Sequence, residues 1–285
     1  MRLLRVLRLA ARAFSASGNG VLAQAIAYNA VFATFPLVLL LAAILGYLSG
    51  SAAGQEQTLN MVAPLVPIAR RVLERELHHV VQYRGVSGIV GLLILIWSAK
   101  NVFLTITYAL DRALGAPSEG PIVRNALVAT LMIPLLGALL IAAAVLPLAF
   151  TAAARLGGFA DLPLVGQTAG YLSSMLMFFC MAAALYRWLP NAALNFRTVL
   201  PGAIFCAVAW MLLQVGFGIY SAHANITRVY GAIAGIIVLL LWYYLLAAIL
   251  LFGAQFFIAW SRLRLERRAA DDMETDLSAK DERTA

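Results

Sequence analysis

Six continuous apolar runs constrain this chain more than any other feature, near residues 22–48, 86–110, 125–150, 167–189, 199–221 and 231–260. Each is long enough to cross about 30 Å of hydrocarbon as an α-helix. The runs are Leu/Ala-rich rather than alternating, which argues for helices against membrane strands. Composition points the same way. Hydrophobic residues make up 63% of the chain and charged residues 12%, where a soluble domain carries about 25% charged. A soluble enzyme, a disordered chain and a disulfide scaffold are excluded at this stage. The expected fold is all-α, a polytopic membrane protein of six transmembrane helices with amphipathic surface helices.

The formal net charge of +8 is unevenly spread. Arg2, Arg5, Arg8 and Arg12 open the chain with no acid before Glu56, and Arg262, Arg264, Arg267 and Arg268 follow the last apolar run. Basic residues beside apolar runs orient a protein in the membrane or meet anionic lipid. With the N-terminus inside, those eight join Arg112, Arg124, Arg187 and Arg197 in the inner flanks, twelve in all. The outer flanks hold six: Arg70, Arg71, Arg75, Arg84, Arg155 and Arg228. Both termini are therefore expected in the cytoplasm, with the chain multi-pass in the membrane. No basic stripe with interleaved aromatics occurs in a soluble part, so nucleic acid is not an expected partner. Cys180 and Cys206 lie within apolar runs and imply no disulfide framework.

Three segments flank the spans. In residues 1–20 the arginines recur at spacings of three, three and four, opposite Leu3, Leu7, Ala10 and Phe14. That pattern predicts an amphipathic helix in the plane of the interface, and the apolar run behind it is too long for a cleavable signal peptide. An Arg-rich, acid-free start also fits a mitochondrial transit peptide. A second amphipathic helix is predicted near 64–83 on the outer side, with Pro64 and Pro67 suited to its first turn and Glu76 unexplained on its apolar face. Residues 261–285, basic and then acidic, are expected to form a disordered cytoplasmic tail.

Ionisable groups at membrane depth are unfavourable and need an account. On a helical wheel Trp97, Lys100, Asn101, Thr107, Tyr108 and Asp111 fall within about 120° of one face. They form a candidate cavity or substrate-contact set with Gln24, Tyr28 and Asn29 of the first span. Lys100 is the deep charge, roughly 16 Å of helix from Asp111. Either it lines a polar cavity or it is a structural lysine paired with a carbonyl or carboxylate. Tyr186, Arg187, Trp188, Pro190 and Asn191 form a candidate gate or an interface anchor at a helix end. Pro36 is expected to fit the first span against its neighbours, and Gly231 with Gly235 forms a GxxxG packing pattern. No HExxH, paired-cysteine motif, clustered acids or P-loop is present, so no catalytic residue, metal or cofactor is expected.

Taken in order, these residues resemble the YihY/BrkB family of bacterial inner-membrane proteins. The resemblance rests on Ala25-Ile26-Ala27-Tyr28, Phe35-Pro36, Trp97-Ser98-Ala99-Lys100 and Ala109-Leu110-Asp111-Arg112-Ala113-Leu114-Gly115. It continues through Tyr186-Arg187-Trp188-Leu189-Pro190-Asn191, Leu200-Pro201-Gly202-Ala203, Val229-Tyr230-Gly231-Ala232, Leu241-Trp242 and Gly253-Ala254-Gln255. It covers about residues 15–260. Three positions depart from the family pattern. Asn29 stands where a second aromatic is usual, Asp111 where asparagine is usual, and Gln255 where glutamate is common. The resemblance implies a role in the cell envelope on lipids or other amphiphiles. Some members carry a ribonuclease BN label, which these residues do not support.

Two readings follow: a transporter- or flippase-like protein without its own ATPase, or a structural scaffold that recruits partners and neither transports nor catalyses. Expected partners are membrane lipids, anionic at the cytoplasmic face, together with a second copy of the chain or another envelope protein. The twelve-to-six asymmetry of basic residues generates a topology test. Reporter fusions active only outside the cytoplasm are expected to be silent at residue 270 and active near 55 and 160. Activity at 270 would overturn the orientation.

Overall fold

The computed structural model describes residues 2–48, 86–116, 121–156, 163–192, 194–223 and 234–284. Among them are seven helices and no strand. These are α1 (Arg2–Ala16), α2 (Asn19–Leu48), α3 (Val86–Leu114), α4 (Ile122–Leu156), α5 (Pro163–Trp188), α6 (Phe196–His223) and α7 (Ala234–Thr284). Four described segments are long and apolar enough to cross a membrane: Asn19–Leu37, Leu93–Leu114, Phe196–Phe217 and Gly235–Glu266. Two more apolar segments are shorter, Val123–Leu139 and Leu172–Trp188. The helix anticipated near 64–83, with Glu76, lies outside the described residues, as does Gly231.

Local chemistry sets the helix ends. Gly18 adopts φ +65°, a left-handed conformation that closes α1 without a Cβ clash. Its carbonyl then accepts from Val21 at 3.0 Å and Leu22 at 3.3 Å, so one residue ends α1 and starts α2. At the end of α3, Gly115 (φ +66°) donates to Arg112 O at 3.3 Å and Ala116 donates to Asp111 O at 2.9 Å. This is a Schellman closure, which satisfies the last carbonyls of the helix. Pro163 opens α5, where no N–H is needed, and Pro190 stops it two residues after Trp188.

Two anticipated segments differ. Residues 261–284 are not a disordered tail but continue α7. From Ala254 to Thr284 no glycine or proline interrupts the chain, and Arg267–Asp271, Arg268–Asp272 and Asp276–Lys280 are opposite charges four residues apart. Such pairs support a helix even without burial. The helix α1 forms, but protein covers part of its apolar face. Val6 and Ala10 are buried with Phe256 and Ala259 of α7, and Phe14 meets Phe252 at 5.9 Å between ring centroids. Leu3 stays exposed, as do Arg5, Arg8 and Arg12.

The helices pack in chain order, α2 on α3, α3 on α4, α4 on α5, α5 on α6 and α6 on α7, and α7 closes back on α2. Helices α6 and α7 approach closely at two glycines. A Cβ on Gly202 would stand 2.6 Å from Gly253 O, and one on Gly253 would stand 2.4 Å from Cys206 Sγ. The two glycines let the backbones approach, as small residues do between membrane helices. Beside them Tyr186 is fully buried. Its hydroxyl donates to Leu250 O, lies 3.0 Å from Cys206 Sγ, and its ring meets Phe257 edge-on at 5.3 Å. A step away, Phe178 stacks on Trp210 at 4.4 Å, and Trp210 meets Trp242 at 5.4 Å, which ties α5, α6 and α7 together.

Because the obstacle at Gly202 is backbone, it has little room to yield. Gly202→Ala is expected to destabilise the protein by about 1–3 kcal/mol. Gly137→Ala, which meets nothing within 4 Å, is expected to be neutral or to stabilise by up to about 1 kcal/mol. Thermal unfolding of both variants in detergent checks this; equal midpoints would overturn the close-approach account.

Candidate functional site

The end of α3, the start of α4 and the link from α5 to α6 meet at one place. After Pro190 breaks α5, the chain turns so that Asn191 faces Asp111. Asn191 N donates to Asp111 Oδ1 at 2.7 Å, and Asn191 Nδ2 donates to Asp111 Oδ2 at 2.6 Å. Both carboxylate oxygens are thereby engaged, and the Asp111 residue is 1% exposed. On the other side of the amide, Arg124 of the first turn of α4 donates through one terminal nitrogen to Asn191 Oδ1. Its other terminal nitrogen donates to Pro190 O at 3.0 Å. The result is a relay, carboxylate to amide to guanidinium, in which every hydrogen bond has an ionised group on one side or a backbone carbonyl as acceptor. Charge-assisted bonds of this kind are stronger than neutral ones.

Beside the relay lies an open concavity of about 620 Å³. Arg124, Arg187, Trp188, Asn191 and Ala192 line one end. Val128, Leu131, Met132 and Leu135 of α4 continue it. Positions 124, 128, 131, 132 and 135 recur at helical spacing, so a single face of α4 forms the wall. No acidic residue is among the lining residues. Arg187 and Trp188 are exposed.

The anticipated residues are thus redistributed. Asp111 and Asn191, assigned to different clusters from the sequence, belong together. Tyr186 parts from its neighbours and goes into the core, whereas Arg187 and Trp188 face the concavity. Along α3 the polar face splits. Thr107 is buried and donates to Phe103 O at 2.9 Å, while Trp97 and Tyr108 are exposed. Lys100 and Asn101 are half-buried, and Lys100 has no hydrogen bond or ion pair with any described residue. Asn29 of α2 donates to Thr105 Oγ1 at 2.8 Å, and Thr105 donates to Asn101 O at 2.8 Å, so Asn29 serves helix packing. Tyr28 and Gln24 are exposed, and Tyr28 rests against Phe32 at 4.7 Å. Pro36 is buried within α2, and Gly235 is half-buried at the start of α7. Thr34 of α2 meets Tyr243 OH at 2.8 Å and joins α2 to α7.

Sequence reasoning missed Arg124 as a site residue, counting it only toward topology. It stands 67 residues from Asn191, and nothing in the spacing signals the contact. Both cysteines are free thiols. Among the described residues no three His, Cys, Asp or Glu side chains gather as a metal site would require.

The relay generates a stability test. Asp111→Ala strips both acceptors from Asn191 and is expected to cost about 1–3 kcal/mol. In a double-mutant cycle with Arg124→Ala, read by thermal unfolding in detergent, the two changes are expected to couple by about 0.5–3 kcal/mol through the shared amide. Strict additivity would mean that Asn191 transmits nothing between them.

Comparison with known proteins bears on the whole chain. The family described as virulence factor BrkB matches residues 10–277. A Bacillus subtilis protein named "Putative ribonuclease-like protein YfkH" is 26% identical over 238 residues, 81% of this chain and 86% of its own length. Proteins named UPF0761 membrane protein, from Xanthomonas campestris pv. campestris and Xanthomonas oryzae pv. oryzae, are 25% identical over 252 residues. That alignment covers 87% of this chain and 58% of theirs, so the chain spans less than two thirds of the Xanthomonas relatives. No solved structure matches the chain.

Proposed function

The chain belongs to the virulence factor BrkB family of membrane proteins, and from that premise we propose that it moves or exposes an amphiphilic envelope molecule without an ATPase of its own. The observation that carries this reading is the concavity between α4 and the end of α5, apolar along its length and basic at one end. An apolar wall with a basic end matches the two parts of an amphiphile, its tail and its headgroup. An open side suits a ligand that arrives from within the bilayer.

The same reading takes α2 to α7 as six spans of the inner membrane. Support comes from helix length: α4 has 35 residues and α5 has 26, roughly 52 and 39 Å of helix. Six spans put both termini on one side, and the excess of basic residues assigns that side to the cytoplasm. Arg124 and Arg187 then stand at the cytoplasmic edge, where anionic headgroups lie. The rival reading is a scaffold with no transport, for which the helical extension of α7 beyond the membrane is the favouring observation. The ribonuclease-like name belongs to the Bacillus subtilis relative, and no cluster of metal-binding side chains among the described residues supports it here.

Proteoliposomes that contain a fluorescent phospholipid test the reading. Dithionite added outside is expected to bleach beyond the outer-leaflet fraction when the protein is present, with no ATP. An inner pool as protected as in protein-free vesicles would overturn the transport reading and leave the scaffold.

A further inference from the structure

We infer that the concavity holds a single phospholipid of net negative charge, with its phosphate between Arg124 and Arg187 and an acyl chain along Val128, Leu131, Met132 and Leu135. The inference deepens the proposed function and rests on it for the membrane setting alone. Three observations carry it.

The first is charge. Two guanidinium groups line one end, with no acidic side chain among the lining residues. The Asp111 carboxylate is buried and accepts both of its hydrogen bonds from Asn191, not from an arginine. Neither arginine therefore spends a donor on that carboxylate, although its charge, one amide away, still offsets part of that of Arg124. The second is donor supply. A guanidinium has five N–H donors in a planar fork. Arg124 commits two of them, to Asn191 Oδ1 and Pro190 O, which fixes its orientation and leaves three. Arg187, with five donors of its own, forms no hydrogen bond or ion pair with any described residue. Two arginines around a common space, one of them oriented by the relay, match the several oxygens of a phosphate.

The third is length. From Arg124 to Leu135 the wall rises eleven residues, roughly 16 Å. Half of a hydrocarbon core of about 30 Å is one leaflet. A lipid whose headgroup reaches the arginines at the membrane edge would thus run its chain along the wall to the bilayer centre. A free phosphate would leave that wall unused, and an uncharged amphiphile would leave the arginines unmatched. The volume of about 620 Å³ is of the size that takes a small ligand, not a macromolecule.

Trp188 lies in the lining and reports occupancy. The full chain in nanodiscs of phosphatidylcholine is titrated with brominated-chain phosphatidylglycerol, and separately with brominated-chain phosphatidylcholine. The signal of Trp188 is isolated as the difference between the wild-type protein and Trp188→Phe. Half-maximal quenching is expected at about tenfold less phosphatidylglycerol than phosphatidylcholine. Arg187→Gln is expected to abolish most of that preference, since a charge-assisted hydrogen bond accounts for about a tenfold change. This arginine supports no other described residue, so an unaltered unfolding midpoint is expected and separates lost binding from lost fold. Arg124→Gln is expected to weaken both binding and stability. Excess inorganic phosphate is expected to leave the quenching unchanged.

A preference that survives Arg187→Gln would overturn the inference, and so would displacement of the lipid by phosphate alone. The two readings also fail separately. Preferential quenching by phosphatidylglycerol in a protein that moves no lipid supports this site and overturns only transport. Lipid movement without any preference at Trp188 overturns this site and leaves transport standing.

Discussion

Hydrocarbon offers no water to a polar group, so an amide, hydroxyl or carboxylate within a membrane bundle either finds a protein partner or destabilises the fold. This constraint organises the molecule. Thr34 of α2 finds Tyr243 of α7 at 2.8 Å, and Asn29 of α2 finds Thr105 of α3 at the same distance. Tyr186 of α5 finds the Leu250 carbonyl of α7, a group already engaged in its own helix. Each bond ties helices far apart in sequence and fixes their rotation about their axes, which apolar contact alone does weakly because lipid is as apolar as leucine. Three exceptions stand out among the described residues. Asn19 is fully buried with both amide atoms unpartnered, Gln255 is buried with its amide nitrogen unpartnered, and the amide oxygen of Asn125 is buried without a partner. All three are uncharged amides, which are less costly to leave unpaired than a carboxylate.

Helices were legible in the sequence because their signal is local. Run length, the prolines around α5 and the glycines after α1 and α3 all act within a few residues of themselves. The polar network was not legible, because its partners lie 76 residues apart for Asn29 and Thr105, and 80 for Asp111 and Asn191. A helical wheel places Asp111, Lys100 and Tyr108 on one face but says nothing of what stands opposite. The face turned out to straddle a boundary between neighbours, so Asp111 is buried while Tyr108 is exposed. Tyr186, Arg187 and Trp188 show the same limit on a smaller scale. An aromatic–basic cluster suggests one site, yet successive helical residues point about 100° apart. Such spacing sends the tyrosine to the core and the arginine to the surface.

The helical tail departs from the pattern of its sequence for a related reason. Charge-rich, acid-ended segments lack the apolar area that folding requires, and by that criterion residues 261–284 should not order. The criterion applies to a segment that must nucleate its own structure. Here α7 arrives already helical from the membrane, so nucleation is complete and each added residue contributes a hydrogen bond. Around the start of this extension α7 carries the surface on which α1 docks, where Phe256, Ala259 and Leu263 meet Val6, Leu7 and Ala10. An amphipathic helix designed only for lipid would have no need of that protein face.

The relay at Asn191 bears on how a charge is kept useful. Had Asp111 paired with Arg124 directly, the carboxylate would have taken the arginine's donors and sat against its charge. Placing a neutral amide between them keeps those donors off the carboxylate and lengthens the separation of the charges, which weakens their mutual attraction. Asn191 offers two donors to the carboxylate and one acceptor to the guanidinium, and only an amide in that register does both. The carboxylate fixes the amide, the amide fixes the arginine, and the positive charge remains available at the mouth of the concavity. An asparagine at 111 could accept from only one of the two Asn191 N–H groups and would set its own NH₂ against the other, so the relay loses a bond whichever amide turns over. The carboxylate at 111 is what lets Asn191 keep its oxygen on Arg124 while both of its N–H groups are engaged.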